Sequence, residues 1–113
     1  MRKKNYKGRC LKRTIPKCTD ICRTYDDIQA VFAEMLSSDD NIQEFACNVL
    51  MDPPGEYTSD FVCTRNDGTK MVRECVWRKH LYKPMTAQLL EESRQYWRRH
   101  GILDWGIVTN EEE

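Results

Sequence analysis

TSDFVCTRNDGTKMVRECVWRK, residues Thr58–Lys79, reads as a β-hairpin with one acidic residue on each arm. The first arm is Asp60-Phe61-Val62-Cys63-Thr64 and the second runs from Met71 to Trp77. Between them, Asn66-Asp67-Gly68 is the loop, with Gly68 taking the positive φ that a tight hairpin turn requires. That register pairs Arg65 with Thr69 and, four steps further from the turn, sets Asp60 opposite Glu74. Directly opposed residues share a face with Cβ atoms roughly 5 Å apart. Two carboxylates held so close need a cation, a proton or a basic neighbour.

The flanks supply the rest of a fold. Tyr25 to Leu36 carries Ile28, Val31, Phe32, Met35 and Leu36 at helical spacing, with Thr24 as the expected N-cap and Asp27 completing a partial capping box. Ile42–Met51 alternates as a strand, Phe45, Cys47 and Val49 on one face and Glu44, Ala46, Asn48 and Leu50 on the other. Asp52-Pro53-Pro54-Gly55 breaks it. After the hairpin, Pro84 precedes a helix over about Thr86–His100, with Met85, Leu89, Ser93, Tyr96 and Trp97 along one stripe and Gly101 as the C′ residue. Asp104–Thr109 is a last strand. The order αβββαβ implies an α/β fold, a small mixed β-sheet flanked by helices, with a right-handed crossover where the last two strands run parallel.

At 113 residues with 40 % hydrophobic content the chain is one domain's worth and is not disordered. No apolar run reaches the roughly 18 residues of a membrane span, and the first residues lack a signal peptide's apolar core, so the expectation is a cytoplasmic protein without membrane contact. Six cysteines are then expected to be reduced packing residues; a zinc site drawing on Cys10, Cys18, Cys22 and one further ligand is the alternative, without a CxxC pair to anchor it.

The net charge of zero hides an asymmetry. Residues 1–24 hold nine Lys or Arg against one acid, Asp20; the rest holds nine against seventeen. Residues 1–23 read as a basic arm without regular structure, 24–110 as the folded domain and 111–113 as an acidic tail. A basic arm on an acidic body suits contact with phosphate backbones. Candidate nucleic-acid contacts are Arg2, Lys3, Lys4, Lys7, Arg9, Lys12 and Arg13 on the arm and Arg94, Arg98 and Arg99 on the second helix. The plainer reading is a solvated helix face and an arm lying on its own acidic body. His80 and His100 read as surface histidines, and Trp77, Trp97 and Trp105 as core.

The order of elements, with Thr58-Ser59-Asp60-Phe61-Val62, the Asp67-Gly68 turn, Arg94-Gln95-Tyr96-Trp97 and the closing Trp105-Gly106-Ile107-Val108-Thr109, closely resembles the N-terminal domain of the TnsA transposon endonuclease, a PD-(D/E)xK nuclease. The resemblance covers about residues 25–110 and implies a restriction-endonuclease-like fold. It places the metal-binding acids on Asp60 and Glu74, which would hold Mg²⁺ to activate water and neutralise charge on a phosphate. It also implies a Lys two residues after Glu74 and a Glu on the first helix before Ala30-Val31-Phe32. Val76 and Ile28 stand there, with Asp27 and Glu34 as shifted candidates for the Glu. Arg78 shares the expected face of Glu74, but an arginine stays protonated and is no base.

Three functions follow. The leading one is a mobile-element or phage protein with an inactive TnsA-like nuclease fold that binds DNA or a DNA-processing complex, a homodimer being compatible with it. The second is an interaction protein, anti-CRISPR-like, whose acidic body occupies the nucleic-acid channel of a host defence factor. The third is a metal-dependent DNA endonuclease whose missing cation comes from a partner subunit.

Overall fold

A computed structural model describes residues 10–52, 55 and 57–110. Its elements are β1 (Leu11–Arg13), β2 (Cys22–Thr24), α1 (Asp27–Ser38), β3 (Ile42–Met51), β4 (Tyr57–Arg65), β5 (Lys70–Cys75), α2 (Pro84–Arg99) and β6 (Trp105–Val108), with a 3₁₀ turn at Arg78–His80. The fold is mixed α/β, and the αβββαβ order runs from α1 to β6. β3, β4, β5 and β6 form one sheet in that order, antiparallel except for the parallel β5–β6 pair. The Asp-Gly turn is as expected: Arg65 N donates to Thr69 O at 2.8 Å, and Gly68 has φ 88°.

Side-chain alternation divides the core between the two faces of this sheet. Phe61, Cys63, Met71 and Cys75 pack with Ile28, Ala33 and Leu36 of α1. Val62 and Val72, one residue out of phase, pack with Tyr96 and Trp97 of α2. The phenyl rings of Phe32 and Phe61 meet edge to face at 5.3 Å, fixing α1 over β4.

Five readings from the sequence need correction. The N-cap of α1 is Asp26, whose carboxylate accepts from Gln29 N at 2.9 Å, and Gln29 Oε1 in turn accepts from Tyr25 N at 2.7 Å. This reciprocal arrangement satisfies amides that Thr24, already in β2, is not placed to reach. Residues 10–24 are not an unstructured arm: β1 and β2 pair antiparallel, and Asn48 Nδ2 donates to Arg23 O at 2.9 Å, tying β2 to β3. Val31 and Met35 are exposed at 57 % and 60 %, because α1 turns its Ala33 and Gln29 stripe inward instead. Val49 leaves the face of Phe45 and Cys47 for the α2 side. Asn48 between them takes φ 54°, a left-handed conformation that asparagine tolerates better than most residues, and this turns the strand over. Lastly, β5 stops at Cys75 rather than Trp77, and α2 starts at Pro84, whose missing N–H costs nothing in a first helical turn.

Arg65 and Arg73 of the hairpin both grip Asp104, just before β6. Arg65 Nη2 bonds Asp104 Oδ2, and Arg73 Nη2 lies 2.8 Å from Asp104 Oδ1. Arg65 foremost, then Arg73, hold the Asp104 carboxyl below the usual carboxylate range. A carboxyl depressed on folding stabilises the native state fully above its unfolded pKa of about 3.9, and that contribution fades as pH falls through the lower folded value. Urea titrations should therefore show a constant stability gap between wild type and Asp104→Asn above about pH 5, narrowing below about pH 4; a gap that ignores pH would remove the ion pairs from the account.

Candidate functional site

The β4–β5 ladder pairs Thr64 with Lys70, Cys63 with Met71, Val62 with Val72 and Phe61 with Arg73. One step further the same register opposes Asp60 to Glu74. There the side chains take over the amides. Asp60 N donates to Glu74 Oε1 at 3.0 Å, and Cys75 N donates to Asp60 Oδ2 at 2.7 Å. Each arm thus offers a carboxylate to an amide of the other. The two side chains are buried, Asp60 at 2 % exposure and Glu74 at 0 %.

Four further side chains complete a hydrogen-bonded cluster beneath Glu74. Ser93 Oγ of α2 donates to Glu74 Oε2 at 2.6 Å and accepts from Trp105 Nε1 at 2.9 Å. Ser59 Oγ lies 3.3 Å from Ser93 Oγ and accepts from Trp97 Nε1 at 2.7 Å. Proton counting fixes the directions. An indole N–H can only donate, and each serine has one proton. With the Ser93 proton on Glu74, the Ser59–Ser93 bond must run from Ser59, so every donor in the cluster points toward the carboxylate.

This arrangement decides what the acids can hold. Mg²⁺ demands near-octahedral oxygen ligands and keeps several of its waters. Here neither acid reaches solvent, and three carboxylate oxygens already accept from N–H or O–H groups. As arranged, the pair does not fit a hydrated Mg²⁺. The neighbouring positions supply no cation. Val76 is buried at 6 %, and Ile28 packs into the α1 core. Arg78 sits on the 3₁₀ turn, past the strand, where its backbone N and Nε bond Asn110 Oδ1 and O at 2.8 and 2.9 Å. Asp27 is exposed in the first turn of α1, and Glu34 pairs with Arg13 at 2.7 Å. A recess between α2 and the end of β3, lined by Met51, Tyr57, Glu92, Tyr96 and Arg99, includes neither Asp60 nor Glu74.

The candidate nucleic-acid contacts divide. Arg2, Lys3, Lys4, Lys7 and Arg9 lie outside the described residues. Lys12 is exposed, whereas Arg13 is committed to Glu34 and to Ala30 O. On α2, Arg94 pairs with Glu91 at 2.9 Å, while Arg98 and Arg99 are exposed in the last turn. His100, at the C-cap, stacks on Tyr96 with 4.2 Å between ring centroids.

A second cluster was only partly visible in the sequence, where Cys18 and Cys22 entered the alternative zinc site without Cys47. The sulfurs of Cys18, Cys22 and Cys47 lie within 4.8 Å of one another; Cys10, grouped with Cys18 and Cys22 in the zinc alternative, is not in the group. None of the six cysteines is in a disulfide. The hydrogen bond with Cys47 lowers the Cys22 thiol to about 7, and the same contact, with burial, pushes Cys47 up. The Cys18–Cys22 spacing was visible in the chain, but the addition of Cys47 depends on β2 packing beside β3.

No family model matches the chain, and no curated protein sequence matches it.

Ser93 is the joint of the buried cluster. Ser93→Ala leaves Trp105 Nε1 without its acceptor and removes a donor from Glu74, so it should cost about 1–3 kcal/mol in chemical denaturation. A neutral substitution would show that the cluster does not hold the hairpin to α2.

Proposed function

We propose that this chain is a DNA-binding protein of a mobile element or phage, a TnsA-like nuclease frame that binds DNA, or a complex working on DNA, without cutting it. The observation that carries the reading is the closed Asp60–Glu74 pair. Its oxygens are turned to the chain's own amides and to Ser93, with Val76 buried in the position of the catalytic cation. Phosphoryl transfer of this kind needs a metal-activated water within reach of solvent and substrate. A pair satisfied from within gives the hairpin a structural role instead.

Support for DNA as the partner comes from charge. The first 24 residues hold nine Lys or Arg against one acid, while the rest of the chain is net acidic, and among the described residues Arg98 and Arg99, at the end of α2, have no carboxylate partner like the one Arg94 has in Glu91. Such contacts bind phosphates without reading sequence, and they weaken as salt rises. Among the described residues no helix is long and apolar enough to cross a membrane. A cytoplasmic setting belongs to the proposal.

Gel-shift titration of duplex DNA should give binding whose log K falls with log salt by about 0.9 per phosphate neutralised. Arg98→Ala with Arg99→Ala should make that slope shallower. Supercoiled DNA with Mg²⁺ or Mn²⁺ should stay intact. Cleavage that is lost in a natively folded Asp60→Asn variant would overturn the proposal, and absence of binding even at low salt would favour a protein partner for the acidic body.

A further inference from the structure

Cys18, Cys22 and Cys47 come from three different places in the chain and meet at one point. Cys18 lies in the loop between β1 and β2, Cys22 opens β2, and Cys47 is in the middle of β3. Cys22 is fully buried, while Cys18 and Cys47 are half-buried, so the cluster has a closed floor and an open side.

The backbone is built to hold Cys18 there. Phe45 N donates to Lys17 O and Thr19 N donates to Phe45 O, both at 2.9 Å, so the loop is clipped to β3 on either side of Cys18. Lys17 takes φ 74°, a left-handed conformation that is uncommon for a residue with a side chain and that places Cys18 in a bridge with Phe45. From β2, Arg23 O is held by Asn48 Nδ2, next to Cys47 in the strand. Three hydrogen bonds thus fix the two segments that bring sulfurs to Cys47.

Two of the three sulfur spacings are those of a metal site, and the third lies within 4.8 Å. Zn²⁺ binds thiolate sulfur at about 2.3 Å in a tetrahedron, which sets neighbouring sulfurs about 3.8 Å apart. Here Cys18 Sγ is 3.7 Å and Cys22 Sγ 3.4 Å from Cys47 Sγ. Thiolate ligands select thiophilic cations over Mg²⁺ or Ca²⁺.

We propose that Cys18, Cys22 and Cys47 form a three-thiolate site for a thiophilic d¹⁰ cation, Zn²⁺ foremost, with the fourth position on the open side taken by water or a small exogenous ligand. The ion cross-links the β1–β2 hairpin to β3. Its role is structural: it holds the basic N-terminal segment against the sheet, and it is independent of Asp60 and Glu74.

The test uses the full chain, reduced with a non-thiol reductant and freed of metal by a chelator, then titrated with Zn²⁺, Co²⁺ or Cd²⁺ alone. One ion per chain should bind, with thiolate-to-metal charge-transfer absorption for Co²⁺ and Cd²⁺ and a Tm that climbs with ion concentration. Cys18 lies in a loop and is half-buried, so Cys18→Ser should keep the native circular dichroism spectrum. It should raise the Kd by more than the about 100-fold typical of losing a residue that only supports a ligand. Cys10→Ser should bind as wild type does. No uptake by the reduced wild-type chain would overturn the proposal. Equal loss on Cys10→Ser would overturn the three-sulfur assignment.

Discussion

Asp60 and Glu74 each place a carboxylate on a backbone amide of the opposite strand, and the centre of the sheet depends on that exchange. A β-ladder at this position would join the strands through carbonyls. The side chains do it instead, at 3.0 and 2.7 Å, and carry two acids into a region closed to solvent. Buried carboxylates are tolerated only when their oxygens are satisfied. Ser93 meets that need on Glu74, and through Ser93, Ser59 and the two indole N–H groups the demand reaches α2 and β6. Position after position on the α2 side is therefore set by one acid on β5.

On the other face of the sheet the described residues set no acid at the centre, and the polarisable group there is the thiol cluster of Cys18, Cys22 and Cys47 beside Phe45. Phe61, Phe45 and Cys63 meet Ile28, Ala33 and Leu36 through apolar contact alone, which fills space without demanding partners. The hairpin thus has an apolar side that fixes α1 and a polar side that fixes α2. Asn48, turned into the left-handed region, is where β3 passes from one face to the other.

The sequence revealed the hairpin register because strand alternation and the Asp67-Gly68 turn are local signals. The limits of β3 were equally clear from its alternation and the Pro-Pro break. What the acids bind was not legible, since Ser59, Ser93, Trp97 and Trp105 come together only after α2 packs on the sheet. Thr24 looked the helix cap because Asp27, three residues on, completes a partial capping box with it. Asp26 with Gln29 was also in the chain, but choosing it required knowing that β2 already uses Thr24. The place of Cys47 beside Cys18 and Cys22 was hidden for the same reason: it lies 25 positions beyond Cys22, and only the β2–β3 packing closes that distance. A resemblance to a nuclease supplied the expectation of a Mg²⁺ site at Asp60 and Glu74, and the burial of both acids redirects it toward a structural role.

The account stands on that pair being closed in solution. Amide NMR spectra recorded while Mn²⁺ is added measure this directly, because a paramagnetic ion between Asp60 and Glu74 broadens the nearest backbone signals. The account predicts that the amides of Asp60, Phe61 and Cys75 keep their linewidths. Selective, saturable broadening of those three, relieved by excess Mg²⁺, would contradict it and restore the hairpin as a metal centre.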